Sequence, residues 1–170
     1  MSVLDGWKFC PRCAAEVELD AEEGRVDCPS CGFRAYANSE PTASALCVDA
    51  QGRALLARRA GGPFEGCWDL PGGFLNEGEH PLDGVRRELK EETGVEIEPL
   101  DFLGVWMDRY SEDASGPATL NFYWTARIVE GEPEPEDDVA ELRWFALDEI
   151  PQDELAFRHL PDVISTWQQR

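Results

Sequence analysis

Two pairs of cysteines, Cys10-Pro11-Arg12-Cys13 and Cys28-Pro29-Ser30-Cys31, restrict the start of this 170-residue chain more tightly than any other feature. Fourteen residues separate the pairs, a spacing that lets two Cys-x-x-Cys knuckles close on one tetrahedral ion with four thiolates. The stretch between them, Ala14 to Asp27, is polar and is expected to form only a short hairpin with little core. Ligation would therefore supply much of its folding free energy. Gly32 follows the second knuckle, where a tight turn can aim backbone amides at the sulfurs. Disulfides fit poorly with an opening, Met1 to Trp7, that has no charged-then-apolar secretion pattern. A redox pair would open a helix in a βαβ unit rather than sit in a loop-rich segment. The expectation is a structural zinc ribbon over residues 1–36, ligated by Cys10, Cys13, Cys28 and Cys31, with no position left open for a substrate water. Cys47 and Cys67 stand alone in apolar surroundings and are expected in the core.

Charge narrows the partners. The formal net charge is −20, and Lys8 and Lys90 are the only lysines. Such a surface repels nucleic-acid phosphates and anionic lipid, which leaves a small phosphorylated compound whose charge divalent cations would offset. Most of the acidic residues are expected to be a solvated face. No run of about 18 apolar residues appears, so no membrane span is expected, and the cytoplasm is the default compartment. A homodimer stays open.

Beyond a connector at Ala35 to Pro41 the pattern changes to that of a globular domain, expected over residues 37–170. Thr42 to Val48 reads as a strand, Asp49 to Gly52 as a turn, and Arg53 to Arg59 as the returning strand. Ala60 to Gly66 is a loop, and Trp68-Asp69-Leu70 is a short extended piece before Pro71-Gly72-Gly73. Pro81 to Thr93 carries a helical pattern that Gly94 stops. Strands are expected at Phe102 to Met107, Leu120 to Val129 and Leu142 to Phe145. Glu130 to Asp138 is a surface loop, and short helices are expected beyond Asp148, with Val163, Ile164 and Trp167 at helical spacing. Strands mixed with helices in a chain this short predict an α/β domain, a sheet covered on both faces.

The chemistry concentrates on the central helix. Glu88, Glu91 and Glu92 lie at i, i+3 and i+4, so their side chains share one face. Leu82, Val85 and Leu89 occupy a neighbouring face that would anchor the helix to the sheet. Like charges so placed destabilise a helix by a few tenths of a kcal/mol per pair, and a divalent cation converts that repulsion into ligation. Magnesium suits carboxylate oxygens and substrate phosphates together. The Gly72-Gly73 turn lets a backbone carbonyl approach the same ion.

Gly73, Glu79, Arg87, Glu88, Leu89, Glu91, Glu92, Gly94 and Val95 fit the spacing Gly-x5-Glu-x7-Arg-Glu-U-x-Glu-Glu-x-Gly-U, with U aliphatic, at every specified position. This pattern resembles the box of the Nudix hydrolases. Trp68 to Gly73 is similar to the family's lead-in, and Trp144 to Pro151 to its closing strand and turn. The resemblance implies an α/β/α sandwich with a mixed sheet, preceded here by the zinc ribbon. It implies Mg²⁺ (or Mn²⁺) held by Glu88, Glu91, Glu92 and the carbonyl of Gly73, with Glu79 and Arg87 paired to hold the box in shape and Gly94 ending its helix. The implied activity is pyrophosphohydrolase chemistry, in which metal-assisted attack of water on phosphorus releases a nucleoside monophosphate. Glu88 or Glu92 would be the general base, with Asp138 a candidate for a further carboxylate from a later loop.

Front zinc ribbons occur in this family in NADH pyrophosphatases and in a group resembling FAD and ADP-ribose pyrophosphatases. The Ser-Gln-Pro-Trp motif of the former is missing from Leu103 to Tyr110, while the tail Phe145 to Phe157 resembles the latter. An ADP-linked compound such as ADP-ribose or FAD is the implied substrate. Arg58, Arg59 and Arg109 are candidates for phosphate or ribose contact, and Trp68, Trp106, Tyr110 and Tyr123 for stacking on a base. The rival readings are a nucleoside triphosphate pool sanitiser, an NADH pyrophosphatase, and a ligand-sensing module that kept the fold; the intact box carboxylates speak against the last.

Overall fold

The computed structural model describes residues 4–169. Met1 to Val3, part of the opening in which no leader was expected, lie outside the described residues, as does Arg170. Three short antiparallel strands, β1 (Glu18–Asp20), β2 (Arg25–Asp27) and β3 (Arg34–Tyr36), form a sheet of their own behind the cysteine knuckles. Its apolar interior is small: Val26, Cys10 and Cys28 are buried, while Phe9, Leu19 and Tyr36 are exposed. So little buried area cannot by itself offset the ordering of some thirty residues at roughly 1–2 kcal/mol each.

The remaining strands are β4 (Glu40–Cys47), β5 (Ala54–Arg59), β6 (Trp68–Asp69), β7 (Gly72–Phe74), β8 (Glu96–Arg109), β9 (Ala118–Glu130) and β10 (Val139–Phe145). The helices are α1 (Pro81–Thr93) and α2 (Leu160–Gln168). Rather than one sheet there are two: a mixed sheet in the order β7-β4-β9-β8, with β4 and β9 parallel, and an antiparallel sheet in the order β10-β5-β6. Strand periodicity sends alternate side chains to opposite faces. Ala43, Ala45 and Cys47 of β4, with Trp124 and Ala126 of β9, pack under α1 through Val85 and Leu89. Leu46, Leu56, Trp68, Tyr123 and Phe145 join Leu160, Val163 and Ile164 of α2 on the other side. The architecture is an α/β/α sandwich.

α1 runs over the residues its pattern predicts. His80 caps its start, its ring nitrogen accepting from the Leu82 amide at 3.2 Å. Gly94 ends it in the left-handed conformation at φ 70°, where a Cβ would be strained. β8 is much longer than the expected Phe102–Met107. It is an edge strand with register shifts between Pro99 and Phe102 and between Phe102 and Gly104, and these break the alternation that periodicity reads. β10 likewise begins three residues before Leu142, past an irregularity at Val139 to Glu141. Two 3-10 turns, Leu147–Glu149 and Gln152–Glu154, precede α2. Cys47 is buried as expected, whereas Cys67 is only half-buried, in the loop after β5. Among the described residues no helix is long and apolar enough to cross a membrane.

Candidate active site

The four sulfurs of Cys10, Cys13, Cys28 and Cys31 lie within 4.8 Å of one another. Cys10–Cys31 and Cys13–Cys28 are each 3.6 Å apart, close to the ~3.8 Å that four sulfurs ~2.3 Å from a tetrahedral zinc would keep. The two knuckles repeat each other. In each, the first cysteine's amide reaches the carbonyl five residues on, at 2.8 Å (Cys10 to Ala15, Cys28 to Phe33), and its carbonyl accepts from Ala14 or Gly32. Ala14 and Gly32 both take positive φ, 60° and 71°. The Arg12 amide points at the Cys10 sulfur. This donor set fits zinc.

On α1, Arg87 is the organising group. It forms a bidentate pair with Glu79, both bonds 2.8 Å, and also donates to Glu88 at 2.7 Å, Glu91 at 2.9 Å and the Phe74 carbonyl at 3.0 Å. The Glu79 carboxyl is held down at about 2, first by the Arg87 guanidinium and then by the Asn76 amide. Glu92 lies deeper. Burial pushes its carboxyl well above the usual carboxylate range; the Gly72 amide, 2.9 Å away, opposes this, and the charges of Asp138, Asp69 and Glu88 add to it. Burial also raises Glu88, against the pull of Arg87. Gly73 faces Glu88 so closely that a Cβ there would sit 2.5 Å from the carboxylate oxygen. Carboxylates held in a burial that disfavours their ionised forms suit a hard divalent cation, which stabilises those forms.

These groups open onto a cavity of about 210 Å³. Gly73, Glu88, Glu92 and Asp138 share it with Arg59, Asp69, Tyr110 and Phe157. The loop before β10 is tied to the end of α1, its Glu134 amide to the Thr93 carbonyl at 3.1 Å and its Glu136 amide to the Glu92 carbonyl at 2.9 Å. That attachment brings Asp138, itself exposed, to the cavity rim. Opposite, Arg59 donates to Asp69 at 3.2 Å and to the Tyr110 hydroxyl at 2.7 Å, and its guanidinium lies over the Tyr110 and Phe157 rings. Phe74 meets Tyr110 edge-on at 5.2 Å.

Other candidates fall elsewhere. Glu91 does not line the cavity; its half-exposed side chain stays with Arg87. Trp68 is 3% exposed and packs edge-to-face on Phe145, a core residue with no access to the cavity. Arg58 points to the other face of β5, as the period of two requires, and bonds the Gly66 carbonyl at 2.8 Å. Arg109 holds the Gly116 carbonyl of the β8–β9 connection at 3.0 Å, and Trp106 packs on the core through Tyr123. Conversely, Asp69, Thr42, Ser44, Asn121 and Phe157 line the cavity without having been singled out. A signal existed for three of them. Thr42 and Ser44 alternate with Ala43 and Ala45 in a buried strand, and Asn121 interrupts the apolar run of β9.

A family model described as the NUDIX domain matches residues 38–164. A Pseudomonas aeruginosa protein described as NAD-capped RNA hydrolase NudC is 31% identical over 161 residues, 92% of this chain and 55% of its own length. A Methanocaldococcus jannaschii ADP-ribose pyrophosphatase is 35% identical over 114 residues, 66% of this chain and 64% of that protein. The chain thus spans little more than half the length of the first of these curated relatives. Among solved structures, a NUDIX hydrolase from Nitrosomonas europaea superposes with a TM-score of 0.79 at 28% identity, covering 95% of this chain and 90% of its own. The NUDIX domain of Shewanella oneidensis NrtR, solved with ADP ribose, gives 0.64 at 30% identity, over 79% of this chain and 90% of that one.

Proposed function

The chain belongs to the Nudix family, and from that premise we propose that it hydrolyses a phosphoanhydride bond in an ADP-linked compound such as ADP-ribose or FAD, in the cytoplasm. The observation that carries this reading is the convergence of Glu88, Glu92, Gly73 and Asp138 on one cavity whose far wall offers Arg59 among aromatic rings. Two relatives, described as an NAD-capped RNA hydrolase and an ADP-ribose pyrophosphatase, support the same substrate class.

Glu88, Glu92 and the Gly73 carbonyl would hold Mg²⁺ (or Mn²⁺), and Glu91 would join them by leaving its pair with Arg87. Bound there, the ion supplies charge neutralisation at the phosphates and orientation for in-line displacement. The chain's own groups do the rest. Arg87 holds Glu79, Glu88, Glu91 and the Phe74 carbonyl next to Gly73 through five hydrogen bonds, so these groups are fixed before substrate arrives. Glu92 and Asp138 are the acceptors best placed to take a proton from an attacking water. Arg59, held over Tyr110 and Phe157, offers a cation beside rings able to stack on a base. The four cysteines hold structural zinc in residues 1–36.

Incubation with Mg²⁺ and a panel of ADP-ribose, FAD, NADH, diadenosine polyphosphates and nucleoside triphosphates, with products separated by ion-exchange chromatography, tests the reading. AMP plus a second monophosphorylated product from an ADP-linked compound supports it. Pyrophosphate from a triphosphate points to pool sanitation instead, and tight binding without turnover to a sensing role.

A further inference from the structure

Beneath the carboxylate wall, the sheet face that floors the cavity carries hydroxyl and amide side chains in register. Thr42 pairs with Asn121, and Ser44 with Tyr123, across the parallel β4–β9 ladder. Their hydrogen bonds run in one direction. The Thr42 hydroxyl donates to Asn121 Oδ1 at 2.8 Å, and both Asn121 amide hydrogens are spent, on the Trp106 carbonyl at 3.1 Å and Thr119 Oγ1 at 3.0 Å. Tyr123, opposite Ser44 in the ladder, meets His159 Nε2 at 2.8 Å, and His159 Nδ1 meets Asp108 Oδ2 at 2.7 Å. A carboxylate only accepts, so Asp108 places the imidazole hydrogen on Nδ1. In the neutral ring Nε2 then takes the Tyr123 hydrogen, which leaves the Tyr123 oxygen as an acceptor on the Ser44 side. Tyr123 and His159 are 2% and 6% exposed, which keeps water from competing for these bonds.

The Thr42 hydroxyl therefore has its hydrogen drawn into the protein and turns lone pairs to the cavity, and Ser44, two residues on along the same wall, is paired in register with an acceptor, the Tyr123 oxygen. Phosphate oxygens, which also only accept, gain nothing there; a neutral donor gains a hydrogen bond.

We propose that Thr42 and Ser44 are specificity-determining residues that accept hydrogen bonds from a neutral donor on the substrate, a ribose hydroxyl or an exocyclic amine, with Asn121 and the Tyr123–His159–Asp108 chain as positioning residues. This deepens the reading of the cavity as a nucleotide site and rests on it, but does not require turnover.

The test uses compounds without a phosphoanhydride bond. AMP, 2′-deoxy-AMP, 3′-deoxy-AMP, IMP, ribose 5-phosphate and 2-deoxyribose 5-phosphate are titrated calorimetrically into the full chain with Mg²⁺. Loss of one hydroxyl is expected to weaken binding roughly ten-fold; a comparable loss confined to IMP assigns the donor to the amine. Thr42→Val with Ser44→Ala flattens the preference. Tyr123→Phe, which removes the acceptor opposite Ser44, reduces it to about two- to three-fold while Ser44 itself remains. Thermal melts identify any variant that fails to fold, and Ser44→Ala alone is the milder second probe. Equal affinities across the series, including none measurable for any member, overturn the proposal, as does a preference that survives the double substitution. Discrimination here together with no turnover on the substrate panel would instead leave this inference standing and remove the hydrolase reading.

Discussion

The cysteine ribbon and the carboxylate helix are both candidate metal centres, yet they are built in opposite ways. In the ribbon the four sulfurs already surround one point, 3.6 Å apart in pairs, and little apolar surface holds them there. On α1 a full hydrophobic core fixes the helix, while the carboxylates are parted among Arg87, the Gly72 amide and the cavity. Among the described residues, the cysteines are the group of donors already gathered for a metal. A closed site of four strong ligands can order a weak fold; an open one must leave room for substrate and so relies on a scaffold that stands without the ion.

Removal of metal should separate the two most sharply. Structural zinc contributes an apparent ~10–16 kcal/mol in small ribbon-like peptides, so a strong chelator should collapse the amide NMR dispersion of residues 8–36 and leave that of 40–168 in place. A ribbon that stays dispersed would break the comparison. Next in size, Glu92→Gln should lower kcat by roughly 10²–10³-fold, several kcal/mol of lost metal chemistry, without lowering Tm, because a buried carboxyl is replaced by a neutral group. Normal turnover would remove the cation site from α1. Arg87→Ala strips Glu79, Glu88 and Glu91 of their common partner; being partly exposed, the cluster should lose about 2–3 kcal/mol in denaturant unfolding, less than a fully buried pair.

The smallest effect is in pH. Glu79, lowered from its ordinary 4.5 to about 2, contributes stability that is complete above 4.5 and is lost as pH falls towards 2. Glu92 is shifted the other way. Its contribution is present below 4.5 and is lost as pH rises through its raised folded value, so without divalent cation Tm should decline from 4.5 up to that value and level off beyond it. Mg²⁺ should flatten the decline and Glu92→Gln should abolish it. A decline unchanged in that variant would show that Glu92 does not carry it.

Legibility followed the range of the forces involved. The α1 boundaries, the Gly94 cap and each cysteine knuckle rest on contacts a few residues apart, and fixed spacing encodes them; the Glu79–Arg87 pairing came with the family resemblance. The extent of β8 was not legible, because an edge strand with bulges tolerates Glu96, Glu98 and Asp101 and loses its alternation. Nor was the far wall of the cavity. Arg58 and Arg59 are equivalent as letters, and only the direction of β5 decides which of them meets Tyr110.

From the chain's letters alone came the resemblance to the family with the sandwich it implies, and the four clustered cysteines and the acidic stripe, which local spacing sets. Only the tertiary structure decided that Trp68 is core, that Phe157 and Asp138 arrive from distant segments, and that Asp108 and His159 orient Tyr123 from 15 and 36 residues away. The reason is physical. A hydrogen bond between strands depends on register and on which face each residue presents, and those are fixed when the sheets pack, not when the residues are strung together.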